Sequence, residues 1–173
     1  MRTIAKPSAD EFPAYAIMYI KLVKDGGALL QYLFENWMAS KKLVASIPEE
    51  KLLYRYAPAK WTIKEILVHI IDDERIYAYR AMCFARNEKI ELPGFDQDDY
   101  SSYSGANDRT LESIMEEYEA VRKATIALFR GLTDEALLRT GVANSNKASV
   151  RALGYHIAGH ELHHINIIRE KYL

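Results

Sequence analysis

The sequence predicts an all-α protein, a four-helix bundle, on three observations. Apolar residues recur at helical spacing through most of the chain. No segment sustains the alternation of β-branched residues that marks a strand. Only 8 Gly and 5 Pro interrupt 173 residues, a length that suits one domain over 1–173.

The elements follow in order. "EFPAYAIMYIKLV" reads as a short N-terminal helical extension, ended by "KDGG". A first long helix spans about Ala28 to Ser46, and "IPEEKLLYRYAPAKW" is a loop punctuated by Pro48 and Pro58. Thr62 and Glu65 have capping-box spacing, which starts a second long helix near Ile63 and carries it to about Arg86. The next twenty or so residues, "NEKIELPGFDQDDYSSYSGAND", form a long crossover without evident structure, a feature that often serves function. A third helix runs from about Arg109 to Arg130 with Asp108 as its cap. "NSNKAS" precedes the last helix, Val150 to about Lys171, with Ser149 at its N-cap. Four long helices with one long crossover make a four-helix bundle.

Composition excludes several classes. A net charge of −1 gives no basic surface for nucleic acid, and no apolar run approaches the ~18 residues of a membrane span. The N-terminus carries no apolar secretory segment, and the single Cys83 forms no internal disulfide. The expectation is a cytoplasmic protein with a small-molecule substrate.

The chemistry concentrates in "GYHIAGHELHH", residues 154–164, which holds four of the five histidines. At ~100° per residue, His160, Glu161 and His164 share the arc of Val150, Leu153, Ile157 and Ile168. His156 and His163 fall on the flank. His160 and His164 therefore face the bundle interior one turn apart, near enough to reach one ion. Unpartnered, two buried imidazoles would cost ~2 kcal/mol or more, so a metal or a dense hydrogen-bond network must compensate. His69, at the edge of the second helix's apolar arc, supplies a third donor. The alternative for His69 is a hydrogen bond to Asp73, one turn on. Three donors leave positions open for water or substrate, as a catalytic site requires, and Asp72 or Asp73 could orient an imidazole.

"HELHH" also matches the H-E-x-x-H metallopeptidase pattern, with Glu161 in the general-base slot. Peptidases of that class normally take a further ligand downstream, and only nine residues follow His164. Glu161 is a candidate general base or an acceptor behind the ligands; the plainer role is a salt bridge to an arginine of a neighbouring helix. Arg75, Arg80 and Arg86 on the second helix could meet an anionic substrate, though such charges more often form a solvated or ion-paired face.

"YRYAPAKWTIKEILVHIIDDERIYAYRAMCFAR" and "AGHELHHINIIREKYL" resemble the DinB/YfiT-like superfamily, in its DinB-like branch. The likeness covers nearly the whole chain, including "LPGF" in the crossover and the Trp61, Glu65, His69 element. It implies a four-helix bundle, often a homodimer, holding a divalent ion, nickel or zinc, on His69, His160 and His164. It also implies one of two activities: hydrolysis of a small molecule, or S-transfer of a low-molecular-weight thiol such as bacillithiol; the superfamily also includes an isomerase dependent on mycothiol. A non-catalytic metal-binding or structural homodimer is the competing reading. A fourth protein ligand from Asp72 or Asp73 would favour it.

Overall fold

The computed structural model describes residues 2–173. Its helices in chain order are α1 (Ile17–Ile20), α2 (Leu29–Ala45), α3 (Ile63–Ala85), α4 (Gln97–Tyr103), α5 (Leu111–Gly131), α6 (Asp134–Leu138) and α7 (Val150–Lys171). The four long ones, α2, α3, α5 and α7, form the bundle. α2 and α3 each pack against both α5 and α7, so α2 and α3 occupy one diagonal and α5 and α7 the other.

Local chemistry starts these helices where the sequence says it should. The Glu65 amide donates to Thr62 Oγ1 at 3.1 Å and the Thr62 amide to Glu65 Oε2 at 2.7 Å, a reciprocal capping box on α3. Ser149 Oγ accepts from the Ala152 amide at 3.1 Å and begins α7. α5 starts two residues later than expected, because Thr110 rather than Asp108 caps it, through the Ser113 amide.

Two departures from the sequence reading lie in the connections. The crossover between α3 and α5 is not bare loop: Asp96 accepts from the amides of Asp98 and Asp99 and nucleates α4. Before α7 the chain forms an antiparallel hairpin, β1 (Thr140–Ala143) with β2 (Asn146–Ser149). Asn144 and Ser145, at φ of 49° and 58°, make the two-residue turn whose left-handed backbone matches strand twist. Leu92 then pairs alongside Ala143 and ties "LPGF" to the hairpin.

The apolar core comes in two clusters. One gathers Leu29, Leu33, Phe84, Phe129, Leu153 and Ile157, the other Val44, Ile63, Ile70, Ile114, Ile165 and Ile168. Between them every bundle helix contributes buried polar groups: Ser40, His69, Asp73, Glu74, Arg122, His160 and Glu161. A polar layer inside a bundle must be satisfied from within, because water cannot reach it.

Candidate metal centre

Two compartments divide that polar layer. In the first, Arg122 lies between Glu74 and Glu161. Its Nε and Nη2 donate to the Glu74 carboxylate at 2.8–3.1 Å, and its Nη1 donates to Glu161 Oε2 at 2.8 Å and to the Leu33 carbonyl at 2.5 Å. Ser40 Oγ donates to the other Glu161 oxygen at 2.8 Å. Burial alone would lower the Arg122 pKa; the charges of Glu161 and Glu74 more than offset it and hold the guanidinium well above its ordinary value. Both Glu161 oxygens are thus engaged. The structure gives Glu161 the interhelical salt bridge and leaves no oxygen of it uncommitted for base chemistry.

The second compartment holds the histidines. His69 on α3 and His160 on α7 are buried, and His164 is partly buried. The Nε2 atoms of His69 and His160 lie 3.1 Å apart, as do those of His160 and His164. One ring nitrogen from each residue fits within 4.8 Å of the others. Two nitrogens each about 2.1 Å from a shared ion are separated by roughly 3.0 Å at a right angle and roughly 3.4 Å at the tetrahedral angle. The two 3.1 Å separations fit neighbouring ligands of one ion, and the donor type fits a transition-metal divalent ion.

Protonation is consistent with that fit. Burial lowers the pKa of all three rings, with smaller contributions from neighbouring histidines; His164 falls to about 2 and His160 lies well below the imidazole range. At His69 burial again dominates, and the carboxylates of Asp73 and Asp98 offset it in part. All three rings stand neutral at pH 7, which is the form that ligates.

Asp73 is placed differently from the simplest expectation. Its Oδ2 lies 3.3 Å from His160 Nδ1 and 3.3 Å from His156 Nε2, rather than beside His69. Asp73 Oδ2 makes no hydrogen bond at these distances, but its negative charge on that side favours the His160 proton on Nδ1 and so a free lone pair on Nε2. Asp72 turns instead toward Arg75, at 3.9 Å. Neither aspartate approaches the Nε2 side as a fourth donor in these contacts.

The wheel puts His156 on the flank, but in the fold it is buried, stacked flat on Tyr77 with ring centroids 3.7 Å apart. Tyr19 of α1 stands edge-on to His156, His160 and His163 at 4.9–5.3 Å. Gly159 permits that approach, since a Cβ there would fall within contact distance of the Tyr19 carbonyl. Helical periodicity within α7 carries no information about α1, so this covering could not be read from it.

On its other side the histidine cluster meets a cavity of about 310 Å³, lined by Trp61, Gln97, Asp98, His164, Ile167 and Tyr172. Trp61 also covers His69, at 4.6 Å between centroids. Asp98 comes from the acid-rich crossover; the length of that segment was its only signal.

A bundle of this kind, with three inward imidazoles on two neighbouring helices, defines the class: a four-helix-bundle protein carrying a candidate three-histidine metal centre. The chain belongs to the DinB superfamily, whose model matches residues 32–168. A protein of Oceanobacillus iheyensis, provisionally named a metal-dependent hydrolase, is 27% identical over 127 residues, 73% of each chain. Among solved structures, YfiT from Bacillus subtilis, described as a probable metal-dependent hydrolase with an unusual four-helix bundle topology, aligns with a TM-score of 0.68 at 19% identity. That alignment covers 82% of this chain and 84% of YfiT. The DinB-like protein YjoA from Bacillus subtilis aligns at 0.58 and 18% identity, over 82% and 86%. These two alignments establish the shared fold.

Among the described residues no helix is long and apolar enough to cross a membrane.

Proposed function

We propose that this chain is a divalent-metal-dependent enzyme that hydrolyses a small molecule, with His69, His160 and His164 as the ligands and nickel or zinc as the ion. The observation that carries the reading is the convergence of three neutral Nε2 atoms beside a cavity of about 310 Å³. A divalent ion at such a site lowers the pKa of a bound water or thiol and so supplies a nucleophile near neutral pH. The chain's own groups do the rest. The charge of Asp73 favours the Nδ1 proton on His160, Trp61 keeps water from His69, and Asp98 brings a carboxylate to the cavity, where it can take a proton.

Two findings bear on the alternatives. Asp73 faces Nδ1 of His160, not Nε2, which supports an open coordination sphere over a closed, structural one. Thiol S-transfer is the second reading: a low-molecular-weight thiol deprotonated by the ion, like a water whose proton passes to Asp98, needs no Glu161 base, so the engagement of Glu161 by Arg122 and Ser40 is compatible with both. That engagement argues against a peptidase that relies on Glu161. The reading includes a homodimer in a reducing cytoplasm. Phe34 and Met38, one turn apart on α2 and 49% and 46% exposed, suit its interface.

The test is elemental analysis of untagged protein, followed by a panel of esters and amides assayed with and without added thiol. The expected result is one ion per chain, with turnover abolished by chelator and restored by zinc or nickel. Thiol-dependent turnover alone would select the second reading. Stoichiometric metal without turnover in either arm would establish the non-catalytic one.

A further inference from the structure

We propose that Arg80 is the anchor of a second binding site, one for a small organic monocarboxylate, separate from the histidines. Arg80 is 6% exposed, and its Nη2 donates to the Pro93 carbonyl at 2.9 Å. Among the described residues no carboxylate oxygen lies within 4.0 Å of it, which sets it apart. Every other arginine that is not fully exposed pairs with an acid: Arg2 with Asp134, Arg109 with Glu117, Arg122 with Glu74 and Glu161, Arg139 with Glu135, Arg151 with Glu11.

A guanidinium held mostly out of water with no counter-charge is a ready anion receptor. The rings of Tyr77 and Phe95, 5.1 and 5.9 Å from its carbon, restore only part of the lost solvation and hold its plane in place. The backbone behind Pro93 is also fixed, since Leu92 is bonded to the hairpin on both sides. The receptor is therefore preorganised by the fold rather than by a ligand.

Arg80 lines a cavity of about 240 Å³ between α3 and the crossover, together with Arg75, Tyr79, Leu92, Phe95 and Tyr100. The Arg75 guanidinium is already paired with Glu117, so one cation is available and one negative charge is matched. Leu92, Phe95 and the two tyrosines make the walls apolar and aromatic, which suits a carboxylate with a hydrocarbon body over inorganic phosphate. The volume is below the roughly 300–1,000 Å³ of drug-sized sites, so the acid is small. Arg80 lies eleven positions beyond His69 on α3, roughly 16 Å of helix rise. Arg80 also borders a partly open cleft of about 20 Å³ against Tyr15, Tyr77 and His156, room for about one water.

Benzoate is the probe, titrated into the full chain as purified and followed by backbone amide shifts, with neutral benzamide and inorganic phosphate in parallel arms. We expect saturable shifts at Tyr79, Gly94 and Phe95, with benzamide about tenfold weaker or worse, as befits a lost charge-assisted bond. Arg80→Gln should weaken benzoate by about the same factor, and His164→Ala should leave it unchanged, which separates this site from the metal centre. Equal binding of benzoate and benzamide, tighter binding of phosphate, or shifts confined to Trp61 and His164 would overturn the proposal. Should Arg80→Gln fail to fold, Tyr100→Ala on the exposed wall decides: weaker benzoate binding supports the site, and unchanged affinity overturns it.

Discussion

Glu161 and His160 are adjacent on α7, yet they serve opposite kinds of polar cluster. Around Glu161 the protein partners its own polar groups: one guanidinium, two carboxylates, a hydroxyl and a backbone carbonyl close the set. Around His160 it assembles lone pairs and a carboxylate, with no cation among them. The first cluster is complete and joins all four bundle helices. The second is electron-rich and incomplete, which is how a protein builds a place for something it does not encode. Both clusters are largely buried, so burial alone does not distinguish a structural polar cluster from a functional one; hydrogen-bond saturation does, since every Glu74 and Glu161 oxygen has a donor while Asp73 Oδ2 has none.

The largest effect is expected at Arg122. Arg122→Ala strips the counter-charge from two buried glutamates and should cost about 3–5 kcal/mol in urea denaturation, or abolish folding, while leaving the histidine geometry with nothing to hold it. A loss within experimental error would show that the two carboxylates find other partners. On the functional side, His164→Ala should lose most of its metal by elemental analysis, whereas His156→Ala should keep it. Equal loss from both would mean that α7 presents a different pair to the ion. Asp73→Asn retains the shape but removes the charge facing His160 Nδ1, and it should lower metal affinity by about 10–100-fold in a competition titration. An unchanged affinity would remove Asp73 from the site.

Acid sharpens the same contrast. The folded-state pKa values of His69, His160 and His164 lie below the unfolded value near 6.5, His164 at about 2. The unfolded chain therefore takes up protons first as pH falls. Stability is complete above about pH 6.5 and declines below it toward the folded-state values, by at most about 1.4 kcal/mol per pH unit for each histidine. Metal-free protein should show a falling urea midpoint between pH 7 and pH 5, with a shallower fall in His164→Gln. Identical slopes would place the titrating groups elsewhere.

Much of the architecture was legible because it is local. Ser149, Thr62 and Glu65 announce helix starts within a single turn, and the bounds of α7 and the start of α3 follow from them. The i, i+4 spacing of His160 and His164 likewise places both rings on one arc, and the fold brings them together with His69. What depends on distant partners was not legible. Arg122 lies 39 residues before Glu161 in the chain, and nothing near Glu161 announces it. His156 reads as flanking because the wheel lacks α1 and Tyr77. The hairpin escaped because four-residue strands carry too little periodicity, and only Asn144 and Ser145 hinted at a turn.

The bare α-carbon at position 159 lets a one-turn helix lie flat on the imidazole row, and that helix falls before residue 32, where the family match begins. The lid over the histidines thus comes from sequence outside the shared bundle. Remodelling that upstream segment offers a way to retune solvent access to the imidazoles while the three histidines of the bundle stay where they are.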